Sequence, residues 1–152
     1  MKPYWTAALV LALVGVSIAG YLTSTHLFNA QIACVGGSSC EEVQGSRFGT
    51  MMGIPLPYLG LGFYLTVLAL VAVGLRRPAL RDMVLPIMLI LTLSGAIFSG
   101  YLTGVQAAVL GQFCMWCLGS AATETSLLAV TGILLYGTFG TGKTTLARLL
   151  PE

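Results

Sequence analysis

Charge is what this sequence has least of. Asp, Glu, Lys and Arg make up 8% of its 152 residues, against 57% hydrophobic ones. A soluble domain carries about a quarter charged residues, so that class is excluded. The apolar excess excludes intrinsic disorder as well. The few charges are also missing from long intervals. None lies between Lys2 and Glu41, between Arg47 and Arg76, or between Asp82 and Glu124, and a fourth gap runs from Glu124 to Lys143. A helix crosses the hydrocarbon core in about 20 apolar residues, and each gap holds one such span. The sequence therefore predicts an all-α polytopic membrane protein, a bundle of four transmembrane helices with little chain left for a soluble domain.

The spans are expected at residues 4–25, 55–75, 83–105 and 114–136. The first is too long for the apolar core of a signal peptide, and Thr23, Ser24, Thr25 and His26 make a poor cleavage site. Residues 26–53 form the one long polar stretch, and Pro55 and Pro57 open the second span, where no amide hydrogen is needed. With four spans, Lys2, Arg76, Arg77, Arg81, Lys143 and Arg148 fall on one side and only Arg47 on the other. Lys and Arg in short loops favour the cytoplasm. Both termini are thus expected inside, and the loops at 26–53 and 106–113 outside.

Two segments echo each other: Gly20-Tyr21-Leu22-Thr23 and Gly100-Tyr101-Leu102-Thr103, each followed eleven residues after its Thr by a cysteine, Cys34 or Cys114. Spans one and three run the same way, so both deliver a cysteine to the outer face. All four cysteines, Cys34, Cys40, Cys114 and Cys117, fall on that side, where the compartment permits disulfides.

Bland roles for these cysteines exist. Cys34 and Cys40 are spaced as a structural staple, and Cys114-Met115-Trp116-Cys117 as a zinc half-site. An all-thiolate metal site, however, needs a reducing or metal-buffered compartment, and the outer face is oxidising. Redox chemistry accounts for more of the pattern. A CxxC at a helix N-terminus sets its first thiol at the positive end of the dipole, which favours the thiolate. Its second thiol, one turn in, meets the hydrocarbon edge, within reach of a membrane-soluble electron carrier. The loop pair lies in Gly- and Ser-rich backbone, free to approach as thiol–disulfide exchange requires.

The sequence resembles the vitamin K epoxide reductase family in its bacterial branch, over residues 5–136. The resemblance rests on Cys34-x5-Cys40, on Ser46, on Phe48-Gly49-Thr50-Met51-Met52-Gly53-Ile54-Pro55 leading into a helix, and on Cys114-Met115-Trp116-Cys117 followed by Ser120-Ala121. Quinone reductases of the DsbB type place the CxxC in the first outer loop; here the order is reversed. The resemblance implies a catalytic four-helix domain at 1–136 around a quinone, with a short outer-loop helix over the active site. It further implies that Cys117 faces the quinone, with Ser46 and the Ala121 position beside the ring. Cys114 exchanges with Cys40 through a transient Cys40–Cys114 disulfide, and Cys34 takes electrons from a thioredoxin-like, DsbA-like partner. The Cys34–Cys40 and Cys114–Cys117 disulfides are the oxidised forms of the two pairs. The net result is disulfide formation in exported proteins at the bacterial cytoplasmic membrane.

The chain departs from the animal enzymes, which hold the naphthoquinone oxygens with an Asn in the second span and a Tyr one turn past the CxxC. The only Asn here is Asn29, and Ala121 stands at the second position. Reduction of ubiquinone or menaquinone is therefore expected in preference to epoxide reduction, with a vitamin K-like naphthoquinone as a further acceptor. Many bacterial members carry a fused thioredoxin-like domain; 16 residues follow Tyr136, so the partner is expected to be a separate periplasmic protein.

Other features have weaker claims. Gly137-Thr138-Phe139-Gly140-Thr141-Gly142-Lys143-Thr144 matches the phosphate-loop pattern, but that motif needs a strand before it and a packed helix after it. Residues 137–152 are expected to be a cytoplasmic tail, binding neither nucleotide nor nucleic acid. Glu124 is the one acid inside a span, on the face of Cys117. Intramembrane carboxylates are costly and often functional, and its two roles are proton delivery to a quinone or an interhelical hydrogen bond. His26 has the same two options: a proton relay, or an interfacial imidazole. No metal is expected. The rival functions are a small cysteine-based metal-binding membrane carrier and a disulfide-stapled structural subunit.

Overall fold

Inside a bilayer every backbone amide must be bonded within its own segment, which leaves the helix as the form for apolar runs of this length. The computed structural model describes residues 2–28, 50–111 and 113–140. Its four long helices are α1 (Lys2–Leu27), α2 (Leu56–Arg76), α3 (Arg81–Val105) and α4 (Met115–Gly140). All four are long and apolar enough to cross a membrane, so the expected all-α bundle is what forms. Cys34, Cys40, Ser46 and the loop helix expected above the site lie outside the described residues.

The chain enters α2 through a small antiparallel hairpin, β1 (Thr50–Met51) and β2 (Ile54–Pro55), with Met51 opposite Ile54. Its two corner residues, Met52 and Gly53, both have positive φ, 54° and 81°. A two-residue turn matching the twist of its strands needs that conformation. Pro55 then caps α2 and Pro57 sits in its first turn.

The helices alternate in direction. At one end, Arg81 joins the start of α3 to the end of α2 by donating to the Gly74 carbonyl (2.8 Å). Its guanidinium lies 5.1 Å from the centre of the Trp5 ring at the start of α1. At the other end, His26 and Tyr58 meet edge to face, and Tyr21 of α1 meets Trp116 of α4 with ring centres 4.8 Å apart. We call these the basic end and the cysteine end. α1 packs on α2 and α4, and α3 on α4, whereas α2 and α3 touch more sparingly.

Large side chains enter glycine notches in the neighbouring helices. Trp5 of α1 covers Gly74 of α2, and Tyr64 of α2 covers Gly15 of α1. A β-carbon at either glycine would collide with the ring. Small residues that admit close approach are the usual device for packing helices where no hydrophobic force separates protein from lipid. Some hydroxyls inside the bundle are satisfied by their own helix: Thr92 donates to Met88 O and Thr131 to Leu127 O, each at 2.7 Å. This back-bonding lets polar side chains sit in an apolar core.

Two segments differ from the sequence-based expectation. Part of the loop expected at 106–113 is helical, because Gln106–Leu110 extends α3 as a π-helical turn. Its apolar residues continue the span, and Gly111, with φ 62°, ends it in the left-handed conformation that glycine adopts freely. α4 runs on to Gly140, so the first residues of the phosphate-loop-like motif are helical.

Candidate active site

Cys114 immediately precedes α4, and its carbonyl accepts from Leu118 N (3.0 Å), closing the first helical turn. Its own amide donates to the side-chain oxygen of Gln106 at 3.0 Å. The π-helical turn thus reaches across Gly111 and ties the start of α4 to the end of α3. Cys114 is fully buried, packed by Leu110, Trp116 and Cys117. Cys117 lies one turn further in and is half-buried; both sulfurs are thiols.

Cys117 forms part of the wall of a cavity of about 200 Å³ to which all four helices contribute. From α4 come Cys117, Ser120 and Glu124, whose spacing of three and four residues sets them on one helix face. α2 contributes Phe63 and Tyr64, among others. α1 supplies Ile18, Ala19 and Leu22; α3 supplies Phe98, Ser99 and Leu102. These last two sets are offset by 80 residues, the offset of the echoed tetrapeptides. The two copies of the echo therefore present matching positions to one cavity.

The lining is mostly apolar, with its polar groups on α2, α3 and α4. The Tyr64 hydroxyl bonds the carbonyl and the hydroxyl of Ser120, both at 2.9 Å. The Ser99 hydroxyl donates to Glu124 Oε2. Glu124 lies over Gly95 of α3, where a β-carbon would strike the carboxyl. Its Oε1 is buried and has no hydrogen-bond partner among the described residues.

The sequence model of the vitamin K epoxide reductase family matches residues 6–132. The chain belongs to this family. Membership in the vitamin K epoxide reductase family makes it a multi-pass membrane thiol–disulfide oxidoreductase. The family is quinone-linked and generally works with thioredoxin-like partners. The match takes in the two cysteine pairs and every residue of the cavity wall, and stops before the phosphate-loop-like segment.

Among the residues singled out from the sequence, Cys114, Cys117 and Glu124 come together here. Ala121 is half-buried, and Ser120 rather than Ala121 reaches the cavity wall. His26 is exposed against Tyr58 at the cysteine end, apart from the cavity lining. Among the described residues, no three His, Cys, Asp or Glu side chains gather as a metal site. Gln106, Tyr64 and Ser99 escaped the sequence reading. A buried Gln in a charge-free interval was the one available signal, since intramembrane polar groups usually have a task.

Proposed function

We propose that this protein carries electrons from a thioredoxin-like dithiol through Cys34/Cys40 and Cys114/Cys117 to a quinone, so that exported proteins acquire disulfides. The observation that carries the proposal is the position of Cys117 on the cavity wall, with Cys114 one turn behind it at the helix cap. The chain leaves the bundle at Phe28 and returns at Thr50, after α1 and before α2, at the cysteine end.

The cavity suits a quinone ring. An apolar cavity of about 150 Å³ holds benzene; this one is larger and adds polar groups for ring oxygens. A bound quinone supplies the two-electron acceptor. The chain supplies the rest: Cys34 accepts electrons from the partner, Cys40 exchanges with Cys114 through a mixed disulfide, and Cys117 presents its sulfur to the cavity. As Cys114 and Cys117 close to a disulfide, the pair gives up two electrons and two protons, the complement needed to turn a quinone into a quinol. Ser46 is proposed as a quinone-contacting residue, as the family resemblance implies. Ubiquinone or menaquinone is the expected acceptor, since Ala121 leaves the animal-type tyrosine position empty of a hydroxyl.

Residues 1–136 form the catalytic domain in this proposal and 137–152 a tail. The protein sits in a bacterial cytoplasmic membrane with both termini inside and the cysteine loops outside. The test is quinol formation from a reduced thioredoxin-like protein and a soluble ubiquinone analogue. Cys117→Ala should abolish turnover, and an unchanged rate would remove the relay. Cys34→Ala should lose turnover with the protein donor and keep it with dithiothreitol.

A further inference from the structure

Glu124 poses a problem that the relay of cysteines leaves unsolved. Its side chain is 5% exposed, it lines the cavity, and one carboxyl oxygen has no partner among the described residues. Leaving a buried polar atom unsatisfied is costly, so its presence beside a cavity points to a ligand that completes it. The neighbouring hydroxyls do not offer the same opportunity. Ser99 donates to Glu124, Thr103 donates to Ser99 O at 2.8 Å, and Tyr64 and Ser120 bond each other. Each hydroxyl proton in this part of the wall is already placed. The Glu124 carboxyl, by contrast, keeps one buried oxygen without a partner among the described residues.

We propose that Glu124, oriented by Ser99, is a catalytic residue that binds one carbonyl oxygen of the quinone with its carboxylic O–H and gives that oxygen its proton. The proposal rests on a quinone occupying this cavity. Cys117 and Glu124 are seven residues apart on α4, hence about 10 Å along its axis. They face the cavity from two levels, as a ring with oxygens at opposite ends requires. Gly95 makes the room in which Oε1 lies against α3, and Ser99 donates to Oε2, so the carboxyl is held at the cavity wall from two sides.

The electrons and protons balance as follows. The Cys114–Cys117 disulfide forms as both S–H bonds are lost, and two electrons pass to the ring. One thiol proton goes to the oxygen nearer Cys117, and the other is released to water. Glu124 protonates the deeper oxygen and regains a proton from water when the quinol leaves.

The test uses the full-length protein in detergent or nanodiscs with a short-chain ubiquinone analogue, and it has a readout besides turnover. Infrared difference spectra of the Cys114–Cys117-oxidised protein, which cannot reduce the ligand, should show a carboxylic C=O band shifting when the analogue binds. That band should vanish in Glu124→Gln and move in Ser99→Ala. Glu124→Gln keeps a donor N–H of similar shape, so analogue affinity should stay within about threefold. Quinol formation should fall at least about 100-fold, the typical weight of a general acid. Glu124→Leu removes donor and proton together, and affinity should also drop by about tenfold. A carboxyl band that ignores the analogue, or a Glu124→Gln enzyme at full rate, overturns the role of Glu124 while leaving the relay intact. Failure of the wild-type protein to bind the analogue, or full activity in Cys117→Ala, overturns the relay itself.

Discussion

Gln106 shows how much of this site depends on a side chain without redox chemistry. Its oxygen accepts the amide of Cys114, a buried group at the start of a helix where no carbonyl of the same helix is available. Gln106→Leu should leave that buried amide unsatisfied, at a cost of about 1–3 kcal/mol. The check is twofold: a lower thermal midpoint in detergent, and faster alkylation of Cys114 as the cap loosens. Cys114 and Cys117 could be singled out in the sequence because the chemistry proposed for them is carried by residue type and spacing, whereas Cys34 and Cys40 lie outside the described residues. Ser99, Tyr64 and Gln106 could not be singled out, because each acts through a partner on another element, and one sequence does not say which helix faces which. Glu124 stood between these cases. Its charge marked it, but the hydrogen bond from Ser99 and the notch at Gly95 come from α3.

Among the elements, the four spans were readable from charge gaps alone, since a bilayer leaves an apolar run few alternatives to a helix. The π-helical turn was not. Nothing in Gln106–Leu110 distinguishes a π turn from an α-helical one, and its role emerges only in the bond to Cys114. π turns inside or at the ends of α-helices are often found at functional sites. The hairpin ahead of α2 makes a cleaner prediction. Met52 is an unusual residue for a positive φ, whereas Gly53 is at ease there. Met52→Asn or Met52→Gly should stabilise the turn by a few tenths of a kcal/mol or more, and Gly53→Ala should destabilise it by about 1–2 kcal/mol. Protease susceptibility at the hairpin, measured in the folded protein, orders these variants.

For the whole molecule, orientation and packing can be tested separately. Single cysteines placed at Arg77 and at Val109, in a background lacking the native four, should label oppositely with a membrane-impermeant maleimide: the first only in inverted vesicles, the second in whole cells. Packing is probed at the glycine notches. Gly74→Leu puts a side chain where the Trp5 ring lies, and overpacking of this kind costs about 1–3 kcal/mol or more. Trp5→Ala leaves a void instead and should cost about 3–5 kcal/mol. The double variant should recover part of both losses, which a denaturation series in mild detergent can resolve.

The two notches between α1 and α2 are reciprocal, and this has a kinematic consequence. Trp5 enters Gly74 and Tyr64 enters Gly15, two pegs ten residues apart on each helix and so about 15 Å from each other. One peg would still let the helices pivot. Two pegs of opposite sense remove both the pivot and the slide. α1 and α2 therefore move as a single body, and the freedom the catalytic cycle needs is left to the parts outside that lock: the cap of α4, the turn held by Gln106, and the more sparing seam between α2 and α3.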